Sequence, residues 1–97
     1  MKGVGVLIFS LEEVKLYLKV DGDEDDALIT KCMVAAEELC QDILRYPITE
    51  LPEIPETLKQ ATLYAIGNLY EKRETLDTKT MIDFLKRLLF AYRKDGW

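Results

Sequence analysis

The clearest structural signal in this chain is the segment Pro55-Glu-Thr-Leu-Lys-Gln-Ala-Thr-Leu-Tyr-Ala-Ile-Gly-Asn-Leu-Tyr-Glu-Lys-Arg-Glu74. Proline suits the first turn of a helix, because its backbone angle is already helical and its missing N–H would have no partner there. Apolar or small residues then recur every three or four positions, which predicts an amphipathic helix; they are Leu58, Ala61, Thr62, Ala65, Ile66, Leu69 and Tyr70. Gly67 lies mid-helix at a cost of about 1 kcal/mol relative to alanine, which close approach of another helix would explain.

Two further helices are predicted before this stretch. Ser10 and Glu13 form a capping-box pattern that opens a short helix ending near Lys19, before the Asp21-Gly22 turn. A long helix is then expected from Ala27 to about Leu44, with Asp23 or Asp25 as its N-cap. Its wide apolar stripe is typical of a central helix that is contacted on two sides.

A fourth helix follows the polar segment 74–80, with Asp77 or Thr78 as its cap. Between the second and third helices, the prolines of residues 45–54 predict an extended connection across the surface. Four helices in 97 residues indicate a single all-α domain. We assign residues 10–97 to this helical domain and residues 1–9 to a short N-terminal arm, which is either an extended or strand-like arm or a loosely packed terminus.

Composition narrows the possible chemistry. The chain has no histidine and two cysteines, Cys32 and Cys40, so His-based nucleophile systems and zinc sites are not expected. Eight residues apart on one helix, the cysteine Cα atoms would lie about 12 Å apart, too far for a disulfide, and we expect buried, reduced thiols. The acidic run from Asp21 to Asp26 does not fit a calcium loop, because Asp26 stands where glycine is required. We therefore expect no metal and no cofactor.

Neither an enzyme nor a membrane protein is predicted. Adjacent carboxylates such as Glu37 and Glu38 point about 100° apart on a helix, and we interpret them as solvated faces instead of an acid–base pair. The longest apolar run, Val6 to Phe9, is far shorter than the roughly 20 residues that span a bilayer. The net charge of −5 disfavours unaided wrapping of nucleic acid, although weak basic clusters leave a DNA-contacting face open as an alternative to a charged outer surface.

The order of the segments resembles a known family. The segments are Ser10-Leu-Glu-Glu-Val-Lys-Leu-Tyr-Leu-Lys-Val-Asp21, Asp25-Asp-Ala-Leu-Ile29, Ala35-Ala-Glu-Glu38, Ile54-Pro-Glu-Thr-Leu-Lys-Gln-Ala61, Leu69-Tyr-Glu-Lys-Arg-Glu74 and Leu88-Leu-Phe-Ala-Tyr-Arg93. This set is similar to the small head–tail connectors of tailed bacteriophages and prophages, often labelled DNA-packaging proteins of the QLRG type. The resemblance implies a non-enzymatic subunit that forms a ring below the portal after packaging and contacts the portal and the next connector or stopper. DNA would pass through the ring without sequence-specific binding. The implied locations are the host cytoplasm during assembly and then the virion neck.

Candidate contact residues between subunits or with partners lie mainly near the chain ends and at the end of the third helix. We selected Leu7, Phe9, Tyr70, Arg73, Arg93 and Trp97, because aromatic residues and arginine are enriched at interfaces and the arm is apolar. Two other functions stay open at this point. One is a helical DNA-binding or packaging-associated regulatory protein, and the other is a bacterial helical interaction module without a phage role.

Overall fold

The computed structural model describes residues 8–72, 74–75 and 77–92. In these ranges the chain forms four α-helices and two 3₁₀ turns, and no strand. The α-helices are α1 (Leu11–Leu18), α2 (Asp26–Leu44), α3 (Glu56–Glu71) and α4 (Thr78–Leu89), and the turns are Ile48–Glu50 and Phe90–Tyr92. The predicted all-α, four-helix fold is therefore confirmed. The boundary between the arm, residues 1–9, and the helical domain stays a prediction, because residues 1–7 lie outside the described part.

Two helices begin at the caps that the sequence indicated. The Ser10 hydroxyl accepts from the Glu13 amide at 3.1 Å, and the Glu13 carboxylate accepts from the Ser10 amide at 2.7 Å, which completes the capping box. At the start of α4, the Asp77 carboxylate accepts from the Thr80 amide at 3.1 Å. The Thr80 hydroxyl also donates to the Asp77 carboxylate at 2.7 Å, and this hydrogen bond, together with the one from the amide, lowers the pKa of Asp77. Both caps satisfy amides that the first helical turn leaves without partners.

The start of α2 differs from the prediction. Asp25 occupies the N-cap position, but its side chain makes no cap hydrogen bond. Its backbone angles, φ −103° and ψ 10°, are not the extended ones from which an N-cap side chain reaches the third helical amide. Asp23 does not cap the helix either, because it precedes the N-cap position, which Asp25 occupies. Its carboxylate lies 3.3 Å from the Lys15 ammonium. The acidic residues before α2 therefore bind other parts of the fold instead of capping the helix.

The core is built around α2, which contacts α1, α3 and α4. The central-helix interpretation of its broad stripe is confirmed. Cys32 and Cys40 are buried and form no disulfide, as expected. Cys40 faces Thr62 of α3, whose hydroxyl lies 3.8 Å from the sulfur and donates to the Leu58 carbonyl at 2.8 Å. Thr62 can therefore be buried completely because its hydroxyl is satisfied within its own helix.

The connection between α2 and α3 does not simply cross the surface. Ile48 is buried within the 3₁₀ turn, and its amide donates to the Gln41 side-chain carbonyl at 2.8 Å. The flanking Pro47 and Leu51 have extended backbone angles, in line with the prediction for proline-containing segments. The prediction is wrong for Ile48 because an apolar side chain that reaches the core gains more from burial than an extended path would allow.

The mid-helix glycine of α3 lies beneath an aromatic ring of α1. A methyl group added at Gly67 would lie 3.7 Å from Cε2 of Tyr17, which is ordinary van der Waals contact. The atoms near Gly67 thus belong to one side chain of α1 and leave room for a methyl group, so the predicted close approach of another helix does not explain the glycine.

Candidate subunit interface

Four of the six predicted interface residues, Leu7, Arg73, Arg93 and Trp97, lie outside the described residues. Their role in an interface stays a prediction. The other two, Phe9 and Tyr70, are both partly buried and pack against the hydrophobic core. The structure does not bring these two residues together into one exposed patch, because each packs against its own subunit.

Tyr70 fixes the end of α3 to the beginning of α2. Its hydroxyl donates to the Asp25 carboxylate at 2.5 Å, a short bond of the kind made by a hydroxyl to a charged acceptor. Part of the ring is still accessible to solvent. Its role at an interface stays a prediction, whereas its role within the fold is evident.

A buried carboxylate holds the beginning of the described chain. Glu37 on α2 is only 4% exposed, and its Oε2 atom accepts from the Ile8 amide at 3.0 Å. The interpretation of Glu37 as part of a solvated face is therefore wrong, while its neighbour Glu38 is exposed. A buried carboxylate is tolerated when hydrogen-bond donors reach it, and the backbone of the N-terminal segment supplies one.

A second charged contact joins α1 to α2. The Lys15 ammonium lies 2.7 Å from Oδ1 of Asp26 and 3.3 Å from Oδ1 of Asp23. The hydrogen bond to Asp26, together with the contact to Asp23, raises the pKa of Lys15. Lys15 thus forms its ion pairs within the subunit. The other charged residues on this side of α1 are Glu12, Lys19 and Asp21.

Several large apolar side chains remain exposed among the described residues. Leu16 on α1 is 82% exposed and Phe90 after α4 is 64% exposed, and Tyr17, Phe84 and Tyr92 are exposed to a smaller extent. Phe84 still contacts Tyr64 of α3, with ring centroids 4.5 Å apart. Sequence reasoning missed Leu16 as a surface residue, although the signal was present. Leu11, Val14 and Leu18 define the buried stripe of α1, and position 16 lies off that stripe.

A groove runs between α2 and α4. Its volume is about 320 Å³. The apolar lining consists of Leu39, Ile43 and Ile82, and the charged lining consists of Asp42, Arg45 and Lys86. Protein-binding surfaces commonly have an apolar centre and a polar rim. Sequence periodicity alone does not predict this groove, because the groove forms only where two helices lie side by side.

Three observations concern the chemical groups of the described residues. Burial raises the pKa of the Cys40 thiol to about 11, so the thiol stays protonated and unreactive near neutral pH. Within residues 8–72, 74–75 and 77–92, no group of three or more His, Cys, Asp or Glu side chains is placed to hold a metal ion. No helix in this part of the chain is both long and apolar enough to cross a membrane.

One comparison with known proteins identifies a family. The family model described as phage gp6-like head-tail connector protein matches residues 8–94. The match covers all four helices and includes Phe9, Tyr70, Arg73 and Arg93, whereas Leu7 and Trp97 lie outside it. Neither a comparison with curated proteins nor one with solved structures finds a match.

Proposed function

The chain belongs to the phage gp6-like head-tail connector family, and from this membership we propose that its copies form a ring below the portal after DNA packaging. The family gives the chain a structural role in the neck of a phage particle, in contact with other head and tail proteins. The ring, the portal as the head-side partner and a further connector or stopper as the tail-side partner belong to the proposal. The match over residues 8–94 carries it.

The charge of the chain supports a channel through which DNA slides. The net charge is −5, and several carboxylates, including those of Asp21, Asp23 and Glu24, lie in exposed or partly exposed positions. A channel wall of this sign repels phosphate, so that it guides DNA without holding it. A basic wall would bind the packaged DNA and slow its exit. Sequence-specific DNA binding is therefore not part of the proposed role, and neither is catalysis.

The exposed apolar side chains also suit a subunit of a larger assembly. The described part forms one hydrophobic core around α2, yet it leaves Leu16 and Phe90 mostly exposed. Covering these side chains with another chain would gain free energy, because it removes apolar surface from water. We place assembly of the ring in the host cytoplasm and its final location in the virion neck.

The test is the assembly state of the purified chain, alone and mixed with the portal protein of the same phage. Native mass spectrometry and negative-stain electron microscopy at high protein concentration should reveal closed rings, free or attached to the portal. Binding to double-stranded DNA, measured over a range of salt concentrations, is the control. A chain that stays monomeric even with the portal, and that binds DNA in a salt-sensitive manner, would contradict the connector ring and favour the DNA-binding alternative.

A further inference from the structure

We propose that the segment Val4–Leu7 of the N-terminal arm lies extended along α2 of its own subunit and covers the side of that helix between Thr30 and Glu38. The inference goes beyond the proposed ring and does not depend on it, because both surfaces belong to one chain. Among the described residues, α1, α3 and α4 pack against α2. The arm would add a further contact to this central helix.

A recess lies on this side of α2. Its volume is about 400 Å³, and the described residues that line it are Thr30, Lys31, Val34, Ala35 and Glu38. Val34 and Ala35 form an apolar floor and are half-buried, whereas the other three residues are exposed. Covering an apolar floor removes apolar surface from water, so the recess suits an apolar segment of chain.

The hydrogen bond between Ile8 and Glu37 brings the arm to this recess. The Ile8 amide donates to Oε2 of Glu37 at 3.0 Å, and Glu37 lies three positions after Val34, about 4.5 Å along the helix axis. The other end of the described chain is held farther away. The Tyr46 hydroxyl donates to the Tyr92 carbonyl at 2.6 Å, beyond the end of α2 and therefore at least about 15 Å from Val34 along the helix axis. The segment that begins next to the recess is thus the N-terminal one.

The length of the segment matches the length of the recess. An extended chain advances about 3.3 Å per residue, so the four steps from Ile8 back to Val4 cover about 13 Å. Along α2, the distance from Glu37 back to Thr30 is about 10 Å. The recess lies mainly before Glu37 in the helix, so the arm would run toward the beginning of α2, with Val4 level with Thr30 and Lys31.

The side-chain pattern of the segment also fits. Alternate residues of an extended chain face the same side, so Val4 and Val6 would share the side of Ile8. Ile8 itself packs against the hydrophobic core, which fixes this side toward the protein. On the opposite side, Gly5 has no side chain to expose, and Leu7 would face outward, where the sequence predicted a residue of a subunit interface.

Paired cysteines test both the contact and its direction. The variant Val4→Cys with Lys31→Cys places the second thiol six positions before Glu37, and the control Val4→Cys with Asp42→Cys places it five positions after Glu37. Lys31 and Asp42 are both exposed, and the eleven positions between them make about three turns, so they lie on the same side of α2. The two native thiols are buried. Under mild oxidation at low protein concentration, we expect the Lys31 pair to form a disulfide within one chain about ten-fold or more faster than the Asp42 pair, as measured by peptide mass spectrometry.

The matched pair separates a docked arm from a free one. A free arm tethered at Ile8 would reach both positions about equally well, so equal rates would refute the contact. A faster Asp42 pair, or no disulfide within a chain in either variant, would also refute it. Disulfides that join two chains, with a yield that rises with protein concentration, would place the segment on a second copy and overturn docking within the subunit.

Thiol labelling supplies a second measurement that needs no disulfide. The variant Val34→Cys places a thiol on the floor of the recess, and adding Val6→Ser should raise its labelling rate several-fold, because a polar residue weakens the apolar contact of the arm. The matched variant Asp42→Cys should be labelled at the same rate with and without Val6→Ser. An unchanged rate at position 34 would refute the cover by the arm. Neither measurement depends on ring formation, so the proposed function can fail or hold independently.

Discussion

Replacing Gly67 by alanine should stabilise the domain, although the glycine lies under a ring of another helix. Glycine in a helix interior costs about 1 kcal/mol relative to alanine, because it loses more backbone freedom on folding. The added methyl group would lie 3.7 Å from Cε2 of Tyr17, a normal contact distance, so no steric cost offsets the gain. We therefore expect the free energy of unfolding to rise by about 0.5–1 kcal/mol.

For a domain of this size, such a gain raises the melting temperature by roughly 2–8 °C. Thermal unfolding followed by circular dichroism, together with urea unfolding, measures it. The control is Gln60→Gly on the exposed side of α3. It should lower the free energy of unfolding by about 1 kcal/mol and thereby measures what a glycine costs in this helix. A larger side chain, as in Gly67→Leu, would displace the Tyr17 ring and should lose the gain. If Gly67→Ala lowered the melting temperature, α1 would have to lie closer to α3 than described.

Three further predictions concern single side chains. Glu37→Ala should lower the free energy of unfolding by about 1–3 kcal/mol, because the Ile8 amide loses its acceptor, whereas Glu38→Ala at the exposed neighbour should change it by less than about 0.5 kcal/mol; equal effects in urea unfolding would contradict the burial of Glu37. Asp77→Ala should lower the melting temperature at neutral pH. This difference in melting temperature from the wild type should shrink as the pH falls below 3.8, the ordinary pKa of the carboxyl group, and vanish below the lowered pKa of Asp77. The reason is that a protonated carboxyl no longer stabilises the folded state. A difference independent of pH would exclude an ionised cap. Cys40, whose pKa is raised to about 11, should resist alkylation in the native protein at about pH 8 and react fully in urea, and rapid native labelling detected by peptide mass spectrometry would be evidence against its burial.

The helices were predictable because local signals coincided with the packing. The Ser10 and Glu13 capping box and the Asp77 cap act over three residues of sequence, so no knowledge of the fold is needed to recognise them. The stripe on α2 likewise identified the central helix. The same reasoning failed at Asp25, because its carboxylate is used by Tyr70, which lies 45 residues away in the chain.

The burial of Glu37 illustrates the limit of residue type as a guide. Position 37 lies four residues after the buried Met33 and three before the buried Cys40, so the helical period alone places it on the core side. Its carboxylate instead suggested that the side chain faces solvent, because charged side chains are seldom buried without a partner. One partner of this carboxylate is the backbone amide of Ile8, 29 residues earlier, and no sequence pattern indicates a contact at that distance.

The candidate interface was the least predictable part. Aromatic residues and arginine near the chain ends were chosen by type, yet Phe9 and Tyr70 pack partly on their own core. The groove beside Ile82 depends on how α4 lies against α2, which sequence spacing does not specify. Leu16 could have been found from its place off the α1 stripe, since an exposed leucine is visible as soon as the buried face of a helix is assigned.

The small size of α1 has a consequence for its local opening. It has eight residues and buries only Val14 and Leu18, and helices this short are not stable on their own in water. Its backbone amides should therefore exchange with solvent deuterium faster than those of α2, through openings that leave the rest of the fold intact. A partner that contacted the exposed side of α1, where Leu16 lies, would bind only the closed form of the helix. Such binding would slow exchange in α1 in proportion to the affinity of the contact, and deuterium uptake in this one helix becomes a direct reporter of any partner that covers it.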